Sequence, residues 1–168
     1  MLFDPAQRRG SSAPTPEANI PETVLLRAFR WWLTGTCQND GSAQERARSE
    51  LGQLIGTASA QLVLGHFDVM VRAVARHAVR SLHYHPPCCR FATPDELLLL
   101  AIVAACQGGE VAAAGALAEV VTNRAGLGAT LDAASDLALS LLSAGIVLDL
   151  GTAGAVSGLA ALGAVTLH

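Results

Sequence analysis

Lysine is absent. Every fixed positive side chain is one of 11 arginines, set against 14 carboxylates, for a formal net charge of -3. That balance excludes a globally basic nucleic-acid-binding protein. Charged residues make up only 15% of the chain and aromatic residues only 4%, while hydrophobic residues reach 51%. Such a mix is too apolar for intrinsic disorder. Four cysteines in 168 residues are too sparse for a disulfide-stapled mini-protein, so the thiols are read as free or as metal ligands. Apolar runs of spanning quality are also missing. Leu97 to Cys106 covers about half a bilayer. Leu150 to Leu167 is interrupted by Gly151, Gly154, Gly158 and Gly163 and reads as a glycine-softened tail, although Gly154 and Gly158 do make a GxxxG. The N-terminus carries prolines and serines in place of a leader's charged start and apolar stretch. A reducing cytoplasm and no membrane contact are therefore expected.

The familiar catalytic signatures are missing too. There is no G-x-S-x-G, Walker loop, H-E-x-x-H or dinucleotide-binding glycine fingerprint, and Gly126-Leu127-Gly128 lacks the preceding strand such a fingerprint needs. Alternating strand patterns and internal repeats are absent as well.

What is present is helical periodicity. A chain of 17.3 kDa has room for one domain with a sizeable core. The spacing predicts an all-α, single-domain bundle of five or six helices over residues 19–148. A mobile, proline-rich N-terminal arm (1–18) precedes it, and a Gly/Ala-rich tail or short helix (149–168) follows. Asn19 and Glu22 have capping-box spacing, and Val24, Leu25, Ala28, Phe29 and Trp32 then follow a helical stripe that Gly35 and Gln38–Gly41 end. Ser42 and Glu45 form a second capping box. From there to Arg80 no proline occurs, and the glycines predict two helices broken near 56–66. Phe67, Met70, Val71, Val74 and Ala78 mark the apolar face of the second, with Arg72, Arg76 and Arg80 in an i, i+4, i+8 row on another. Thr93-Pro94-Asp95-Glu96 combines cap, first-turn proline and first-turn acids. Leu97 to Cys106 behind it is apolar all round and belongs in the bundle centre. Helices from about Glu110 to Thr122 and from Thr130 to about Gly145 complete the set.

One stretch carries chemistry: His83-Tyr84-His85-Pro86-Pro87-Cys88-Cys89. In extended backbone, residues two apart point the same way, so His83 and His85 can face one target. Cys88 or Cys89 adds sulfur, and zinc accepts N and S ligands. The candidate metal residues are His83, His85, Cys88 and Cys89, used as both histidines and one of the cysteines with a fourth ligand from Cys106, His77 or Asp95. The cofactor reading is none or zinc. Adjacent cysteines diverge, and the spacing matches no common finger or ribbon. Arg80, Arg90 and the helix start at Thr93 also lie where they can lower a thiol pKa.

Charge distribution supplies the second candidate. Residues 72–94 hold Arg72, Arg76, Arg80 and Arg90 and no acid, whereas residues 95–168 hold Arg124 against seven acids. A short basic stripe suits an anionic or acidic partner. Three arginines in a row are few for a nucleic acid, and the helix after Glu110 would repel phosphate. Trp31 and Trp32 are adjacent, about 100° apart on a helix. One is core, the other an interface anchor, with Arg27 placed to stack on Trp31. The candidate partner-binding residues are thus Arg72, Arg76, Arg80, Arg90 and Trp31. The function these features suggest is a small cytoplasmic regulatory or adaptor protein, homodimeric and acting by binding a protein partner. One alternative is a metal- or thiol-dependent sensor built on His83, His85, Cys88 and Cys89. The other is a small hydrolase or redox enzyme with a Cys/His pair.

Overall fold

In a computed structural model, residues 3–5 and 20–149 are described. They form six helices: α1 (Ile20–Gln38), α2 (Gly41–Ile55), α3 (Thr57–His77), α4 (Pro94–Gln107), α5 (Val111–Val121) and α6 (Leu127–Ser143). Two three-residue strands, β1 (Phe3–Pro5) and β2 (Leu82–Tyr84), pair in parallel with Phe3 opposite Leu82. The fold is an all-α helical bundle with this one short ribbon beside it. The rest of the N-terminal arm, and the tail from 150 onward, lie outside the described residues.

The bundle has two three-helix halves. In the first, α2 packs between α1 and α3. In the second, α4, α5 and α6 pack on one another. The seam is α3 against α6. Leu25, Leu51, Leu64, Met70, Ile102, Leu137 and Leu141 are fully buried in the core that both halves share. Each such side chain contributes roughly 1.5–3 kcal/mol by leaving water. Small residues let helices approach closely: Ala43 and Ala47 are buried on α2, and a Cβ at Gly35 would stand 2.6 Å from Gln44 Cγ. Phe29 and Phe67 stack face to face at 3.8 Å between centroids, tilted by 7°.

Several local expectations change. Gly35 does not stop α1, which runs on to Gln38, where Asn39 turns the chain with φ 55°. The Ser42/Glu45 box does not form. Asp40 caps α2 instead, accepting from the Ser42 N–H, and Glu45 pairs with Arg48. Glu22 Oε1 accepts the Asp149 N–H, while the expected cap at Asn19 lies outside the described residues. The break between α2 and α3 falls at Gly56, whose φ of 83° suits glycine. α3 ends at His77, because Ala78 forms an antiparallel bridge to Thr122 and the Val79 N–H donates to Val121 O. Arg80 therefore leaves the helical row expected for it. α6 starts at Leu127, so Thr130 is a fully buried first-turn residue rather than a cap. α4 matches its sequence signals, with a complete Thr93/Glu96 capping box and Pro94 in the first turn.

Candidate functional site

The His/Cys segment runs from β2 to the cap of α4, and buried charge ties it down. Arg30 lies on the inner side of α1 and is only 2% exposed. Its Nε donates to Glu96 Oε1 at 2.6 Å and its Nη2 to Glu96 Oε2 at 2.8 Å, a bidentate pair. The same guanidinium reaches into the segment. Nη1 donates to the Cys89 carbonyl at 2.7 Å and Nη2 to the Phe91 carbonyl at 2.6 Å. Glu96 in turn accepts the His85 N–H on Oε1 and the Thr93 N–H on Oε2. Thr93 Oγ1 donates to the His83 carbonyl and accepts the Glu96 N–H.

Asp95 repeats the pattern one residue earlier. It accepts Arg80 Nη2 at 2.5 Å and the His83 N–H at 2.8 Å. The first turn of α4 therefore holds two buried carboxylates, and each fixes a strand or loop amide and pairs with an arginine. A turn closes the segment's far end, where the Cys89 N–H donates to Pro86 O.

What the segment turns outward is different in character. β2 alternates, with Leu82 and Tyr84 buried and His83 exposed. Cys88 and Arg90 are exposed, and Phe91 is 43% exposed although its carbonyl is held by Arg30. His85 and Cys89 are half-buried. His83 Nδ1 lies 3.5 Å from Asp95 Oδ2.

No three His, Cys, Asp or Glu side chains converge to hold a metal ion among the described residues. The geometry thus does not assemble His83, His85, Cys88 and Cys89 into one ligand set. Asp95, considered as a further ligand, is engaged with Arg80 and His83. All four cysteines are free thiols. Burial pushes the Cys37 thiol pKa up, against a smaller downward pull from its hydrogen bond with Tyr84.

The arginine candidates separate. Arg72 pairs with Asp68 one turn earlier at 2.6 Å, and that carboxylate pushes its pKa up. Arg80 belongs to Asp95. Arg76 is exposed and forms no ion pair among the described residues. Trp31 is half-buried, and Arg46 rather than Arg27 lies over its ring, at 4.9 Å. Arg27 pairs with Glu50 instead. Trp32 donates to Asp68 and is covered by Arg48.

Sequence reasoning missed Arg30, the centre of the network, and Phe91. A signal existed for the first: Arg30 falls between Leu26 and Leu33 on one helical row, a charge where an apolar stripe would continue. For Glu96 the local sequence signals a capping role, which it has, and not its pairing with Arg30. The pair also forms part of the wall of a cleft lined by Leu26 and Leu33 of α1, Phe67 of α3, Leu99 and Val103 of α4, and Leu137 of α6. Chemically, the site is a fixed loop with an apolar cleft behind it, and no nucleophile–base pair is among its hydrogen bonds. No helix among the described residues is long and apolar enough to cross a membrane. Comparisons of the chain with protein-family models, curated proteins and solved structures find no match.

Proposed function

We propose that this chain is a small cytoplasmic regulatory or adaptor protein that binds a protein partner through the 81–92 segment. A second copy of the chain is included among such partners. The supporting observation is the Arg30–Glu96 tether. A buried ion pair adds little net stability, because desolvation offsets the attraction. What this one does is hold the backbone of residues 83, 85, 89, 91 and 93 through hydrogen bonds from or to its members and their cap. A loop held in one conformation gives up less entropy on binding. It presents Phe91 as an aromatic anchor, with exposed His83, Cys88 and Arg90 around it. Free thiols fit a reducing compartment.

The test is affinity capture from native cell extract, quantified by mass spectrometry, with three baits: wild type, Phe91→Ser and Leu139→Ser. Truncating an interface anchor costs about 2 kcal/mol, so Phe91→Ser should lose the partner by at least about tenfold. Leu139 stands 62% exposed on α6, and its variant should retain the partner. Identical captures with all three baits would overturn the reading.

A further inference from the structure

We propose that the outer face of α3 and α6 is self-complementary and docks a second copy of this chain about a two-fold axis. The inference is independent of the partner-binding reading, which concerns the 81–92 segment. On α3, Leu62, Val69 and Arg76 recur at heptad spacing and so share one row. All three are exposed, the two apolar side chains by 52% and 53%. On α6, Asp132 and Leu139 make a second such row, with Asp136 one turn from each. Both carboxylates are exposed, and Leu139 is 62% exposed. The two helices pack side by side, and each row lies across its helix from the buried positions, such as Leu64 and Phe67 on α3 and Leu137 and Leu141 on α6. The His77 ring occupies the place where a Gly126 Cβ would stand. The end of α3 therefore meets the start of α6, and the two run antiparallel.

Charge and symmetry identify the occupant. Equal rises along both helices from the His77–Gly126 contact bring Leu139 level with Leu64, between Leu62 and Val69. They bring Asp132 level with Val71, about 8 Å along the axis from Arg76. Side chains lean toward the N-terminus of their own helix, so on antiparallel helices Arg76 and Asp132 lean toward one another. A two-fold axis parallel to the helices and midway between them lays α3 of each copy on α6 of the other at equal height. Leu139 then drops between Leu62 and Val69 of the second copy, and Arg76 meets Asp132 and Asp136 there. Each contact occurs twice. Arg76, Asp132 and Asp136 form no ion pair among the described residues, so both signs of charge are available to the second copy. A partner of a single charge sign would match only half of the face. Two helices of this length present a face of about 25 Å by 20 Å. Two copies bury roughly 1,000 Å² in all, which suits a reversible dimer rather than an obligate one.

The test is sedimentation velocity of the full chain from low to high micromolar concentration. Wild type should pass from monomer to dimer. Leu62→Arg should weaken the dimer by about tenfold or more, because it sets a charge against Leu139. Arg76→Glu and Asp132→Arg each oppose like charges in their own homodimer, and each should weaken it by about tenfold or more. Mixed in equal amounts, these two variants should dimerise with one another as well as wild type does, because each supplies the charge that the other lacks. Phe91→Ser should leave the dimer unchanged, which separates this face from the 81–92 segment. All four positions are exposed, so circular dichroism of every variant should match wild type. A chain that stays monomeric throughout would overturn the proposal. So would a dimer that survives Leu62→Arg, a variant mixture that stays monomeric, or a dimer lost in Phe91→Ser.

Discussion

Arg30→Met is the most informative perturbation of this protein. The methionine keeps much of the volume and removes the charge. The arginine side chain is 3% exposed and that of Glu96 6%, so the orphaned carboxylate stays buried. It retains the N–H groups of His85 and Thr93 but no counter-charge. Breaking a buried pair from one side costs about 3–5 kcal/mol. The Cys89 and Phe91 carbonyls also lose their donor, but they are only part-buried and water replaces it. The loss expected for Arg30→Met is therefore about 3–5 kcal/mol, a large share of the roughly 5–15 kcal/mol typical of a domain. Glu96→Gln keeps an acceptor for the cap and removes the charge. The double variant Arg30→Met/Glu96→Gln should regain stability over Arg30→Met alone, because no unpaired charge remains. Urea unfolding at pH 7, followed by far-ultraviolet circular dichroism, measures all three. A loss below about 1 kcal/mol for Arg30→Met would refute the reasoning, since surface pairs behave that way.

Three further outcomes are expected. A Cβ at position 126 would overlap the His77 ring, so Gly126→Ala should destabilise by roughly 1–3 kcal/mol, read as a lower urea midpoint at unchanged slope. The Ser42 hydroxyl and N–H hold the Asp40 carboxyl pKa below its ordinary value. Its contribution to stability is therefore present above that ordinary value and is lost as pH falls through the depressed one. Asp40→Asn should keep the cap and flatten the acid limb of the stability profile, and an unchanged limb would argue against this assignment. Cys37, with its pKa raised by burial, should alkylate with iodoacetamide after the exposed Cys88, which peptide mapping at short times resolves. Equal rates would contradict the burial described for it.

What the sequence made legible is local. Thr93, Pro94 and Glu96 lie within four positions of one another, and each signals the start of α4 without help from elsewhere. The break at Gly56 and the stripe Phe67, Met70, Val71 and Val74 are local as well. Contacts between distant segments were hidden. Arg30 and Glu96 stand 66 residues apart, and nothing in the spacing of either names the other. α3 stops at His77 because Ala78 meets Thr122, a partner more than 40 positions on. That long-range bridge took Arg80 out of the arginine row and left it to Asp95. The Ser42/Glu45 pattern failed for a different reason. Asp40 lies two residues ahead of Ser42, and its carboxylate takes both the N–H and the hydroxyl of Ser42 that the box would have used. The extended loop around Pro86 and Pro87 is likewise local, whereas the tie from Glu96 to Arg30 beneath it is not.

Buried charge locks the 81–92 segment to α1 and α4. Amide hydrogen exchange at His85 and Thr93 tests it most directly, because both N–H groups donate to Glu96. In the wild-type protein both amides should exchange at least about a thousandfold more slowly than in an unfolded peptide, equivalent to an opening free energy of roughly 4 kcal/mol. In Arg30→Met that protection should fall at least tenfold while the α6 amides of the seam hold theirs. Exchange of both amides at the unfolded rate in the wild-type protein would contradict the account.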